Sequence, residues 1–132
     1  MVKMSEEIVK MLNDRTSWKV IATTSPEGVV HVIPAGSPMA LNPETIAFAA
    51  VDMAHTSKNL ENMKAKKELA SVLVVNGMKA YQMKSDIKEF VTSGPVYERI
   101  NEGLKKAIGV GARGIWLLEP KEILDQSPGR RP

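Results

Sequence analysis

The chain has no cysteine among its 132 residues. That excludes disulfides, thiolate metal sites, iron–sulfur clusters and thiol catalysis, and it fits a cytoplasmic protein. Aromatic residues are scarce, with two Trp, two Tyr and two Phe. Proteins that bind single-stranded nucleic acid interleave such rings with clustered basic residues. A net charge of +3 with so few rings therefore points away from nucleic acid. Lys64, Lys66 and Lys67 read instead as a solvated helix face. The only histidines are His31 and His55, which lack paired acidic neighbours, so no metal site is expected. No serine nucleophile elbow is present. No apolar run approaches the ~20 residues that cross a bilayer. The first residues carry Glu6 and Glu7 without the apolar stretch of a signal peptide, so no membrane association is expected.

What is present is an ordinary globular composition, 43% hydrophobic and 25% charged. We read one domain over residues 1–125 and a flexible tail over 126–132, which contains Arg130 and Arg131. Ser5 caps a first helix with Ile8, Val9, Met11 and Leu12 as its apolar stripe, and Asn13-Asp14 ends it. Residues 19–24 and 28–33 form a hairpin around Ser25-Pro26-Glu27-Gly28. Pro34 and Pro38 break the ladder and leave 34–38 irregular. Residues 45–51 are a strand and 56–66 a helix. Residues 69–75 form a strand that turns at Asn76-Gly77, a type I′ signal. The next strand is long enough to require a bulge near Ser85. A helix opens at Gly94-Pro95 and carries Val96, Ile100, Leu104 and Ile108. Residues 114–119 form the last strand, closed by Pro120. The expectation is a mainly β domain of six antiparallel strands with about three helices. The sheet either closes into a barrel or stays open as an α+β sheet.

Chemistry concentrates between His55 and Asn59. A helix N-terminus after a strand presents unpaired N–H groups and a positive dipole end, which suit phosphate. Thr56 and Ser57 add hydroxyls, and Lys58 adds a charge. The alternative is that Thr56 or Ser57 simply caps the helix. His55 stands one residue before this segment. His31 alternates with Val30 and Val32, so it is expected to point away from them, towards solvent or an interface. Residues 109–114, GVGARG, match a GxGxxG string but follow a helix and precede a strand, the reverse of the dinucleotide fingerprint. They read as a flexible connection with Arg113 available to an anion. Ala47, Ala49 and Ala50 give one strand small side chains, either for tight packing or to let a flat ring lie against it.

The order of these elements resembles the FMN-binding split-barrel family, which includes pyridoxamine 5′-phosphate oxidase-like proteins and small bacterial FMN-binding proteins. The carrying segments are IATTSPEGVVHVIP, ETIAFAAVDMAHTSKNLENM and LASVLVV. Within them stand Thr56, Lys58, Asn59, Leu60 and Asn62. The resemblance implies a six-stranded Greek-key split barrel that forms a homodimer with FMN at the interface. It places the phosphate on Thr56, Ser57 and Lys58, with His55 and Asn59 beside them. The ring and ribityl chain would run past Pro34, Ala35, Gly36 and Ser37 and past Ala50 and Val51. The implied activity is flavin-dependent hydride or electron transfer with NAD(P)H or another small redox partner, as in a flavin reductase. Alternatives are a non-catalytic FMN electron carrier, an F420-dependent reductase and a flavin-free β-barrel binding module. The last strand, GIWLLEPKEI, has no arginine after Trp116, so oxidation of vitamin B6 is not expected.

Overall fold

A computed structural model describes residues 2–129. Arg130 and Arg131 of the expected tail lie outside the described residues. The segment before them is tied down, because the Gln126 N–H donates to the Ala80 carbonyl at 2.8 Å.

Among the described residues there are seven strands and three helices. Helix α1 (Glu6–Leu12) starts at Ser5, whose Oγ accepts from the Ile8 N–H at 3.2 Å. Strands β1 (Trp18–Thr24) and β2 (Val30–Pro34) form the expected hairpin. Then come β3 (Met39–Asn42), β4 (Thr45–Ala49), α2 (Ala54–Lys66), β5 (Leu69–Asn76), β6 (Lys79–Val91), α3 (Pro95–Ile108) and β7 (Ile115–Asp125).

Seven strands replace the expected six. The additional one is β3, a four-residue strand that follows Pro38 and pairs with β4. A strand so short carries little periodicity of its own, and the prolines before it masked it. Two other boundaries moved. Pro34 pairs with Val20 as the last residue of β2, which a sheet edge tolerates. Pro120 does not close β7. It pairs with Ser85 where the β6–β7 register shifts, so the proline sits at a bulge and the strand continues. The extra residue of that shift, Lys121, is on β7; the bulge expected in β6 near Ser85 falls three residues further on, where Lys88 is the extra residue between Ile87 and Glu89. The turn after β5 is also not type I′. Asn76 pairs with Lys79, Gly77 has φ 59, and Met78 keeps a negative φ, whereas type I′ needs both central residues positive.

The strands make one antiparallel sheet in the order β2-β1-β5-β6-β7-β4-β3. The two end strands, β2 and β3, are consecutive in the chain. Four residues can bridge at most about 18 Å between Pro34 and Met39. In a flat seven-stranded sheet the end strands would lie roughly 29 Å apart. The sheet must therefore curl. The connector ties its two ends without a ladder between them. The Ala35 N–H donates to the Lys19 carbonyl at 2.9 Å, and Ser37 Oγ accepts from the Ala49 N–H at 3.0 Å.

Curling encloses the main core, which includes Ile21, Ile46, Phe48, Val72, Met83, Trp116 and Leu118. Helix α1 adds Ile8 and Leu12, and α2 adds Leu60 and Met63. A second, smaller cluster lies on the other face of β4 and β7. There Tyr97, Ile100 and Leu104 of α3 rest on Ala47, Ala49, Ala112 and Ile115. The alanines of β4 thus serve packing beneath α3.

Candidate functional site

Between β4 and α2 the chain turns sharply at Asp52, whose φ is 46. This is left-handed backbone that Asp tolerates better than most residues. Helix α2 then begins at Ala54, two residues earlier than the sequence suggested. The shift carries Thr56 and Ser57 inside the first turn and removes them as caps. Met53 occupies the N-cap with no side-chain cap bond, and the first turn holds no acidic residue. The first backbone bond of the helix runs from the Ser57 N–H to the Met53 carbonyl at 2.8 Å. The amides of Ala54, His55 and Thr56 precede it at the positive end of the dipole, with Asp52 one residue before the cap.

A cleft of about 760 Å³ opens here. Ala50, Asp52, His55, Ser57, Lys58 and Glu61 form its β4–α2 wall, and Phe90, Thr92, Arg113 and Trp116 line the opposite side. Trp116 and Phe90 pack at 4.6 Å between ring centroids. Trp116 Nε1–H donates to Ser57 Oγ at 3.2 Å, which fixes that hydroxyl and leaves its own proton free to donate. Lys58 and Arg113 are exposed, and neither makes an ion pair among the described residues. Two acids share the cleft with these two cations, so its charge is mixed.

The eleven residues proposed from sequence divide. Ala50, His55, Ser57 and Lys58 line the cleft. Thr56 lies outside the lining, 1% exposed, and its Oγ1 has no hydrogen-bond partner among the described residues. Asn59 is buried and donates from Nδ2 to Thr23 Oγ1 at 3.1 Å, fastening α2 to β1. Val51 packs in the α3 cluster. Pro34 belongs to the β2 edge, Ala35 lies against the main core, Gly36 is exposed, and Ser37 binds β4. The sequence reading missed Phe90, Thr92 and Trp116, which only the pairing of β6 with β7 brings to α2. Arg113 had a weak signal as the one cation in GVGARG.

His31 is half-buried and faces α2. Its ring centroid lies 5.8 Å from that of His55. Val30 and Val32, which flank it, are exposed, as is Pro34 at the end of β2. No group of three or more His, Asp or Glu side chains among the described residues is arranged to hold a metal ion. No helix among them is long and apolar enough to cross a membrane. A second depression, of about 530 Å³, lies between α1 and the β5–β6 hairpin. Three of its five charged residues are already engaged: Glu7 pairs with Lys79 at 3.6 Å, and Asp14 accepts from the Thr16 N–H. The cleft at α2 is therefore the stronger candidate.

No family model and no curated protein matches the chain. Solved structures do. An FMN-binding protein from Syntrophomonas wolfei superposes with a TM-score of 0.82 at 14% identity, over 95% of this chain and 87% of the other. HupZ from Group A Streptococcus gives 0.79 at 17% identity, covering 98% of each chain. The chain has the split-barrel fold. A third split barrel, HutZ, a haem storage protein from Vibrio cholerae, gives 0.63 at 15% identity, covering 94% of this chain and 95% of the other. Proteins described as an F420 reductase and as candidate pyridoxamine 5′-phosphate oxidases share the architecture. At these identities the likeness concerns the split barrel alone.

Proposed function

We propose that this chain is a flavin-binding split-barrel oxidoreductase that holds FMN in the cleft at the start of α2. The observation that carries this reading is the uncapped first turn of α2, beside two cations, Lys58 and Arg113, that are unpaired among the described residues and share one cleft. Three free amides and two cations suit a phosphate dianion. Ser57 has a free hydroxyl proton to add. The Phe90–Trp116 pair offers an apolar wall of the kind a planar ring requires. When bound, FMN supplies the hydride or electron transfer, with NAD(P)H or another small molecule as redox partner. The protein binds the phosphate and orients the ring, and the aromatic wall keeps water from it. Thr56 has no part in this reading, because its hydroxyl is buried outside the cleft.

The homodimer belongs to the same proposal. On the outer face of the sheet, pairing aligns Pro34, Val20 and Leu73 in one row and Val32, Ala22 and Ser71 in the next. Val30 is 65% exposed and Val32 57%, an apolar surface that a second copy would cover.

Absorbance of the purified protein near ~450 nm, followed by FMN titration, tests the reading. Lys58→Ala is expected to weaken FMN by ~1.5–3 kcal/mol, as a charge-assisted contact is lost. Flavin affinity unchanged in that variant overturns the site, and no flavin binding at all overturns the function. Steady-state NAD(P)H oxidation separates an enzyme from an electron carrier. F420 also carries a phosphate group, and its spectrum distinguishes it. One further reading has an observation behind it. The imidazoles of His31 and of His55, the latter in the cleft wall, lie 5.8 Å apart and are of the type that ligates haem iron. A Soret band on haemin titration, lost in His55→Ala, would favour it.

A further inference from the structure

The GVGARG segment read from sequence as a flexible connection. In the structure one of its glycines is set by backbone conformation and two by their neighbours. Gly109 ends α3 with φ 77. A Cβ on Gly111 would lie 2.8 Å from Asn101 Oδ1, and one on Gly114 would run into the Phe90 ring. Neither glycine could carry a side chain while those neighbours kept their places.

The close approaches leave the residues between them pinned. The Ala112 N–H donates to Asn101 Oδ1 at 2.7 Å, and the Tyr97 hydroxyl donates to the Ala112 carbonyl at 2.9 Å. The Arg113 N–H donates to the Ala50 carbonyl at 3.1 Å, and the Ala50 N–H donates to the Gly114 carbonyl at 2.9 Å. Backbone on both sides of Arg113 is thus held, by α3 on one side and by the end of β4 on the other. The side chain itself is exposed, unpaired among the described residues, and lines the cleft that Lys58 lines from α2. A loop tied at four points that presents one free cation is built to hold that cation in place.

We propose that Arg113 is a second anion-holding arm of the cleft, set in position by Asn101 and Tyr97 of α3, and that it shares a phosphate monoester with Lys58. The proposal deepens the flavin reading and rests on it for the identity of the ligand. Arg113 is the binding residue. Asn101 and Tyr97 act only through it and are positioning residues.

Comparing FMN with riboflavin tests this, because the two differ only by the phosphate. The protein is expected to prefer FMN, and Arg113→Ala should reduce that preference about tenfold with riboflavin affinity unchanged. Asn101→Ala should reduce the same ratio, and Tyr97→Phe should do so more mildly. In the Arg113→Ala background Asn101→Ala should have no additional effect, since the arm it positions is gone. An unchanged preference in Arg113→Ala overturns the arm. Equal losses for both flavins in Asn101→Ala and Tyr97→Phe overturn the positioning role, because a general loss of structure does not single out the phosphate. If neither flavin binds, the proposed function fails, and phosphorus NMR of inorganic phosphate judges the arm. Line broadening by the parent that Arg113→Ala abolishes sustains the arm, and absent or equal broadening overturns it.

Discussion

Helices α2 and α3 are nearly equal in length, and their attachments are opposite. By sequence α3 is the more amphipathic, with Val96, Ile100, Leu104 and Ile108 at a spacing of four. Yet none of its residues is buried, and Ile108 is 58% exposed. Helix α2 has the weaker pattern but buries Thr56, Asn59, Leu60 and Met63. The difference lies in the opposing surfaces. α2 enters the mouth of the curled sheet, where it packs on β1, β5 and β6. α3 lies on the outside, over the short side chains of Ala47, Ala49 and Ala112. Short side chains cannot rise between those of a helix to enclose them. An apolar stripe states what a helix can bury, and its partner decides what it does bury. α3 is held by the partial packing of Tyr97, Ile100 and Leu104 on this cluster, which also contains Ile115, together with the two hydrogen bonds of Asn101 and Tyr97 to Ala112.

The largest expected effect probes this contrast directly. Leu60→Ala removes a fully buried side chain of α2 and should cost about 2–5 kcal/mol in urea unfolding. Leu104→Ala, on half-exposed α3, should cost less than ~1 kcal/mol. Equal losses would break the comparison. Native-state hydrogen exchange should likewise find α3 amides exchanging well before those of α2.

A smaller effect is expected at Gly114. A Cβ there meets the Phe90 ring, and Phe90 packs on Trp116. Gly114→Ala should cost about 1–3 kcal/mol and change the tryptophan near-ultraviolet signal. If stability and spectrum are both unaffected, the close approach does not constrain the loop.

The firmly packed side also carries polar groups that do not help it. Thr56→Val removes a buried hydroxyl without a partner while keeping the shape. It should stabilise the protein by about 1 kcal/mol and leave flavin affinity unchanged. Weakened FMN in this variant would return Thr56 to the site.

The smallest effect concerns Lys19, 7% exposed on β1. Desolvation holds its pKa below the usual 10.5, and the Asp14 carboxylate opposes that shift. The unfolded chain therefore binds this proton more tightly. Between the lowered folded value and 10.5, stability should rise with pH, and below that window the penalty is constant. Lys19→Met should flatten this alkaline rise in pH-dependent denaturation, and an unchanged slope would remove Lys19 as its source.

Much of the secondary structure was legible because its signals are local. Ser5, Pro95 and the run of alternating residues in β6 each act within a few positions of themselves. Lys58 and Ser57 were legible for the same reason, since they sit where a strand passes into a helix. β3 was not legible, because a four-residue strand between prolines owes its existence to β4. The start of α2 was off by two residues, because no side chain marks its cap.

By itself, then, the sequence determined the alternation of strands and helices, the mainly β class and the segment around Lys58, all of which depend on near neighbours along the chain. Only the tertiary structure decided that Arg113 and Trp116 stand across from Lys58, that His31 meets His55, that Thr56 is buried away from the cleft, and that the glycines of GVGARG make room for Asn101 and Phe90. Those relations depend on how a curled sheet brings distant segments together, and that curl is set by strand order and register, which no single stretch of residues encodes.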